Sequence, residues 1–237
     1  MFNYSIEYMN TADHREFKDH LFEQFARVGK ALASPKRLEI VDLLAQGERT
    51  VEEIARETAM SVASASQHLQ ALKGARMVEA RREGLYMHYR LADEEVFRTW
   101  QAVRTLAESR LSEVDGVVEA YLEDRDALEA VGATELMERL SDGSVVVLDV
   151  RPEEEYLAGH IPGAISVPVD ALEDALQTQT LPKDREIVAY CRGPYCVFSD
   201  EAVALLKSRG YRASRLAEGF PEWRDSGYAI EAGRQVS

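Results

Sequence analysis

Two cysteines occur in the 237 residues, Cys191 and Cys196, five positions apart in "AYCRGPYCVFSD". Two thiols at that spacing could ligate a metal, form a structural disulfide, supply a reactive thiolate with a helper thiol, or simply fill a core. Two cysteines are too few for a disulfide framework. In a reducing compartment such a pair is more often catalytic, redox-active or metal-binding than structural. No histidine lies close in sequence, so a metal site here would be weak, although a soft ion such as arsenite could bridge two thiols. Cys191 ends a short aliphatic run and precedes a helical pattern. A loop in that position can turn backbone N–H groups and a helix N-terminus toward a sulfur anion. Gly193 is expected to supply the backbone freedom for such a curl. Cys196 is open between two roles, a helper thiol that resolves an oxidised Cys191 and a small side chain closing the loop.

The elements that carry this loop have an α/β pattern. "SVVVLDV" is a continuous aliphatic run typical of a buried parallel strand, "AISVPV" and "EIVAYC" are two more strands, and helices such as "SDEAVALLKSRG" alternate with them. The first half reads differently. Residues 13 to about 45 form two helices, with Phe17, Leu21, Phe25 and Val28 at helical spacing in the first and Ser34-Pro35 starting the second, which stops near Gly47. Thr50 and Glu53 make a capping box. "SVASASQHLQALKGARMVEA" is a helix with Ala65, Leu69 and Leu72 facing inward. Two short helices around a tight turn suggest a helix-turn-helix. "MVEARREGLYMHYRLA" then reads as a β-hairpin turning at Glu83-Gly84, with Arg81 and Arg82 before its tip. From Asp93 an apolar stripe (Val96, Trp100, Val103, Ala107, Leu111, Val114, Val118, Leu122) predicts one helix to 122. A second subunit or the chain's own domain must cover that stripe.

The net charge of −14 argues against nucleic acid only if it is spread evenly, and it is not. Residues 1–90 carry 13 basic and 13 acidic side chains, whereas 91–144 carry 5 and 14. Within 61–90, Lys73, Arg76, Arg81, Arg82 and Arg90 outnumber Glu79 and Glu83, a modest basic patch of the kind a DNA-contacting surface needs. The N-terminus has no signal-peptide pattern and the longest aliphatic run is "VVVL" at 145–148. A cytoplasmic protein without a membrane role is expected, with no cofactor and no resident metal.

Residues 21–91 resemble the ArsR/SmtB winged-helix repressors, through "ALASPKRLEIVDLL", "TVEEIARE", "SVASASQHLQALKGARMV" and "RREGLYMHYRLA" in the family's order. The resemblance implies a homodimer on double-stranded operator DNA. Its recognition helix would be 61–73, with Ser64, Ser66 and Gln67 at base edges and Lys73, Arg81 and Arg82 at phosphates. His68 is expected to pack or touch phosphate rather than ligate a metal. Arg76 departs from the family, which has glycine there. "GERTVEEIARE" has no cysteine and 93–122 no histidine, so the family's metal-sensing positions lack ligands, and a signal should enter elsewhere.

Residues 134–231 resemble a rhodanese domain, through "LDVRPEEEYLAGHIPGAISVP", "YCRGPYC" and "GYRASRLAEGFPEWRDSGYAI". The resemblance implies sulfur transfer through a persulfide on Cys191, with Arg192, Gly193 and Cys196 completing the candidate site. Asp149, Arg151, Glu155 and His160 would brace it. If Ser199 and Ala202 align with the family's helix opening, the loop is about two residues longer than in a common single-domain rhodanese. The position six after Cys191 is Val197, where related phosphatases and arsenate reductases carry arginine, so phosphoryl chemistry lacks its clamp. The expected layout is a mainly α winged helix-turn-helix and dimerisation domain (1–122), a linker (123–133) and an α/β rhodanese domain with a parallel sheet (134–237). Three readings stand: a regulator that carries or senses sulfane sulfur from a donor or to an acceptor, a sulfurtransferase that the winged helix localises or dimerises, and an arsenite- or thiophile-responsive repressor.

Overall fold

A computed structural model describes residues 11–122, 128–178 and 181–233. Residues 123–127 of the expected linker therefore lie outside the described residues. The described residues form two compact units: 11–41 together with 49–96, and 42–48 together with the described residues from 97 to 233. Among the described residues no helix is long and apolar enough to cross a membrane.

In the first unit, α1 (Thr11–Leu32) is followed by α2 (Pro35–Ala45), whose last residues pass into the second unit. Pro35 opens α2, as its fixed φ favours, and the Ser34 carbonyl receives the Leu38 N–H at 3.1 Å. A two-residue strand β1 (Arg49–Thr50) leads into α3 (Val51–Glu57) through the expected capping box. The Thr50 Oγ1 accepts from the Glu53 N–H at 3.2 Å, and the Thr50 N–H donates to Glu53 Oε2 at 2.7 Å. These bonds hold the Glu53 carboxyl below its ordinary value against its partial burial. The turn to α4 (Val62–Gly74) runs through Ala59 at φ +53°, and the chain leaves α4 through Arg76 at φ +60°. Both ends close in the same way. The Met60 N–H bonds the Ala55 carbonyl (2.8 Å) and the Met77 N–H bonds the Leu72 carbonyl (3.0 Å), with the preceding N–H on Arg56 and Lys73 respectively. This is the Schellman closure, whose pivot residue is left-handed and favours glycine. Here alanine and arginine hold the two pivots, so the departure at Arg76 seen in the sequence is a strained backbone position.

Ala65, Leu69 and Leu72 are fully buried, as their spacing predicts. Each leucine contributes about 2 kcal/mol of apolar burial. The strands β2 (Val78–Glu83) and β3 (Tyr86–Leu91) pair antiparallel, with β1 on the far side of β3. Glu83 pairs with Tyr86, so the hairpin turns at Gly84-Leu85 and not at Glu83-Gly84. Gly84, at φ +60°, takes the left-handed angle such a two-residue turn demands.

The helix expected to run from 93 to 122 is two helices, α5 (Glu94–Arg110) and α6 (Ser112–Tyr121). Leu111 between them is extended, at φ −117° and ψ 98°. Glu113 and Asp115 sit in the first turn of α6, where carboxylates favour a fresh helix start over continuation of the old one.

The second unit holds a five-stranded, all-parallel sheet in the order β4-β8-β7-β5-β6, comprising β4 (Ala130–Val131), β5 (Val145–Asp149), β6 (Ile165–Ser166), β7 (Glu186–Tyr190) and β8 (Ala213–Leu216). The helices are α7 (Ala133–Ser141), α8 (Glu153–Ala158), α9 (Leu172–Gln177), α10 (Val197–Ser208) and α11 (Phe220–Asp225). Alternate residues of the strands enter separate cores. Val145, Val147, Val188 and Tyr190 pack with Trp223 and Phe220, whereas Leu148, Ile187, Ala189 and Cys191 pack with Leu172, Ala202 and Leu206. Both faces of the sheet are covered, which explains the unbroken aliphatic run of β5. The strands β4 and β8 carry little sequence signal of their own. The first has two residues, the second sets Ser214 and Arg215 side by side between Ala213 and Leu216, and β4 exists by pairing with β8 and β8 by pairing with β4 and β7.

Candidate functional sites

In the first unit, α4 exposes Gln67 and Lys73, while Ser64, Ser66 and His68 are half-buried. Ser61 caps α4 by accepting the Ser64 N–H at 3.2 Å, so the helix begins one residue after the expected 61. The Ser64 hydroxyl lies 3.8 Å from the Met60 sulfur. Gln70 Nε2 donates to the Tyr89 hydroxyl at 3.1 Å and ties the helix to the hairpin behind it. The Lys36 ammonium joins α2 to α3 through the Thr58 carbonyl at 2.7 Å. On the hairpin, Arg81 and Arg82 are exposed. Arg81 pairs with Glu83 at 2.5 Å, Arg90 pairs with Glu79 at 2.6 Å, and Arg82 Nε donates to the Gly84 carbonyl at 3.1 Å. Both acidic residues of the basic stretch are thus held by its own arginines. The Arg81 contact keeps the Glu83 carboxyl below its ordinary value.

The second unit carries the cysteines between β7 and α10. Cys191 is buried at the end of β7, Cys196 is half-buried just before α10, and a disulfide joins them with their Cα atoms 6.2 Å apart. Cys196 is thus within bonding reach of Cys191, as the resolving-thiol role requires, and it also packs at the edge of the core beside the loop. Two donors hold the loop from outside and one from within. The Phe220 N–H bonds the Cys191 carbonyl (3.0 Å), Gln46 Nε2 bonds the Arg192 carbonyl (2.8 Å), and the Cys196 N–H bonds the Gly193 carbonyl (3.1 Å). C=O and N–H are opposed across a trans peptide, so drawing the Cys191 and Arg192 carbonyls outward turns the Arg192 and Gly193 N–H groups the other way.

Arg192 does not extend freely as a clamp. Its Nη2 meets Glu155 Oε1 at 2.5 Å and its Nε meets Oε2 at 3.2 Å, a bidentate pair on a fully buried carboxylate. Gly193 is not among the left-handed glycines, and a Cβ there would meet only Glu222 Oε1, at 4.0 Å. The conformational freedom expected of Gly193 is therefore not what the loop uses. The constraint falls on Gly219, which was not singled out from the sequence. A Cβ on Gly219 would lie 2.4 Å from both the Cα and the N of Gly193 and 2.5 Å from the carbonyl carbon of Arg192. The two backbones touch at that point.

Asp149, Arg151, Glu155 and His160 are all fully buried. The Arg151 guanidinium grips Asp149 through Nε (3.0 Å) and Nη2 (2.6 Å), bonds the Gly159 carbonyl (2.7 Å) and lies 4.2 Å from the centre of the Phe220 ring. The Tyr190 hydroxyl donates to Asp149 Oδ2 (2.5 Å) and accepts the Ile161 N–H (3.2 Å). Burial first, then the neighbouring Asp149 carboxylate, pushes the Tyr190 phenol well above its ordinary value. His160 stacks on Tyr156 at 3.7 Å with Nδ1 2.8 Å from the Tyr156 carbonyl. Glu222 fastens the other side. It accepts Gly219 N–H on Oε2 (3.1 Å) and Arg104 Nη2 on Oε1 (2.9 Å), and burial raises its carboxyl above the ordinary value despite Arg104. The Tyr195 hydroxyl donates to Glu108 at 2.8 Å. Gln46, Arg104 and Glu108 carry no motif, and only their place in the fold brings them to the loop.

The winged helix-turn-helix and the sheet with its cysteine loop define two classes at once. Residues 34–80 match the bacterial regulatory protein, arsR family, and residues 132–226 match the rhodanese-like domain. The chain belongs to the arsR-family transcriptional regulators that carry a C-terminal rhodanese domain. Along nearly its whole length it is similar to the HTH-type transcriptional regulator Rv0324 of Mycobacterium tuberculosis, at 47% identity over 92% of this chain and 95% of that protein. It is also similar to the tRNA uridine(34) hydroxylase of Escherichia coli, at 26% identity over 58% of this chain and 39% of the hydroxylase. Among solved structures, the homodimeric winged helix-turn-helix DNA-binding domain of Mb0332 from Mycobacterium bovis is 48% identical over 47% of this chain and 94% of that one, with a TM-score of 0.38.

Proposed function

We propose that this regulator is a cytoplasmic homodimer that binds operator DNA, and that sulfane sulfur arriving at Cys191 changes its DNA affinity. Residues 1–122 would serve DNA binding and dimerisation, and residues 134–237 the sulfur chemistry. The observation that carries the reading is the pairing of a buried Cys191 with Cys196 on a loop whose carbonyls are drawn outward. The Cys191 thiolate attacks a polysulfide or organic persulfide, taking its outer sulfur and releasing the donor as a shortened polysulfide or a thiolate. The Cys196 thiolate then attacks the Cys191 sulfur. The Cys191–Cys196 bond forms, the bond to the outer sulfur breaks, and that sulfur leaves with the electron pair as hydrosulfide. Ser64, Ser66 and Gln67 would read bases, with Lys73, Arg81 and Arg82 on phosphates. Dimerisation is supported by apolar side chains left exposed on the single chain, among them Phe22 and Phe25 on α1 and Leu106 on α5.

Gel-shift titration against the protein's own promoter, with and without a polysulfide donor and with Cys191 followed by mass spectrometry, tests the reading. Affinity should differ between reduced and treated protein. Equal affinity with Cys191 demonstrably modified overturns it. A sulfurtransferase is the competing reading, favoured by the match to the rhodanese-like domain. Thiosulfate–cyanide turnover lost in Cys191→Ser, together with no measurable DNA binding, would select the enzyme.

A further inference from the structure

Gln46 stands one residue beyond the end of α2 and is 1% exposed. By sequence it lies inside the segment matching the arsR family and far outside the rhodanese match, yet residues 42–48 belong to the same compact unit as the cysteine loop. A buried primary amide is costly unless its donors and acceptor find partners. Gln46 finds them on the loop and its brace: Nε2 donates to the Arg192 carbonyl at 2.8 Å, and Oε1 faces Arg151 Nη1 at 3.4 Å. Its seat is fixed from both sides. The Ala45 carbonyl accepts Arg224 Nη2 at 3.1 Å, and Asp42 accepts the Trp100 indole N–H at 2.9 Å. Gly47, at φ +153°, turns the chain away immediately after it.

We propose that Gln46 is a positioning residue for Cys191, acting through the peptide between Arg192 and Gly193; the proposal rests on Cys191 being the reactive thiol argued above. The Arg192 carbonyl and the Gly193 N–H belong to one rigid plane and point in opposite directions. Holding the carbonyl fixes the direction of that N–H, two residues along the loop from Cys191, and on this proposal the oriented dipole favours the charged form of the thiol. The side chain must both donate and accept. Glutamate has the same shape and can still accept from Arg151, but it cannot donate to the Arg192 carbonyl, and it adds a negative charge next to the loop. Methionine fills a similar volume with neither bond.

The test is the pH dependence of Cys191 alkylation by iodoacetamide in the reduced full-length protein, read on the Cys191 peptide by mass spectrometry. The native chain should show its midpoint below the ordinary cysteine value of about 8.5. Gln46→Met should raise that midpoint by about one unit, and Gln46→Glu should raise it further, because a nearby like charge adds to the lost dipole. Far-UV circular dichroism identifies variants that fold, and Gln46→Glu, which keeps the shape and the Arg151 contact, guards against collapse of the other. A purely structural role would lower stability in both variants without moving the midpoint. A depressed midpoint in the native protein that both folded variants share overturns the role of Gln46 alone. A native midpoint at the ordinary value removes the activated Cys191 itself, and this inference with it.

Discussion

Replacing Gly219 by alanine probes the contact on which the cysteine loop is built. The added Cβ would lie 2.4 Å from two backbone atoms of Gly193, whereas carbon atoms rest at about 3.5 Å, so the loop backbone must retreat by about 1 Å. No flexible side chain can yield in its place. A shift of that size pulls the Cys191 carbonyl away from the Phe220 N–H, now at 3.0 Å. Overpacking of this kind costs about 1–3 kcal/mol and the lost hydrogen bond about 1 more, so the expected destabilisation is about 2–4 kcal/mol. Urea unfolding measures the loss, and alkylation kinetics of Cys191 in reduced protein measure the displacement of the loop. Gly193→Ala is the control, because its Cβ would meet only Glu222 Oε1 at 4.0 Å. Native stability and native Cys191 reactivity in Gly219→Ala, or equal damage from Gly193→Ala, would refute the argument from close approach.

Arg76→Gly should stabilise the winged helix by about 1 kcal/mol, since it relieves a left-handed arginine at φ +60°, and Tm should rise by about 2–4 °C in calorimetry; an unchanged or lower Tm counts against strain at that pivot. Arg104→Gln strips the buried Glu222 of its cation and should cost about 1.5–3 kcal/mol at pH 8. The folded-state carboxyl already titrates above its ordinary value and would be raised further. The deficit is therefore present above that folded value and shrinks as pH falls through it, so urea midpoints at pH 5 should show a smaller loss, and equal losses at both pH values would contradict the assignment. For DNA, Arg82→Ala should weaken binding similarly across sequences and reduce the salt slope by about one. Glu83→Gln, which frees Arg81 from its ion pair, should tighten binding in the same titration; a salt slope unaffected by either change would remove the wing from the interface.

Much of the molecule is legible in the residues alone because the signals are local. Pro35 starting α2, the Thr50–Glu53 box, the spacing of Ala65, Leu69 and Leu72, and the aliphatic run of β5 each express a backbone preference that neighbours along the chain satisfy. The break at Leu111 was not legible, because the apolar stripe continues across it and masks the acidic first turn at Glu113 and Asp115. β4 and β8 were missed for a related reason, since two and four residues gain their stability from partners distant in sequence.

The cysteine loop divides the same way. Sequence by itself determined the two family motifs, the candidate nucleophile Cys191 and the presence of Cys196 five residues on, because a motif is residue types at fixed spacing. Only the tertiary structure decided that Cys196 reaches Cys191, that Arg192 is bound to Glu155, and that Gly219, rather than Gly193, is the glycine the loop requires. It also brought Gln46 to the Arg192 carbonyl, 146 residues away in the chain. Distances between such segments are set by packing the sheet and its helices, and that packing leaves no mark in the spacing of residues along the chain.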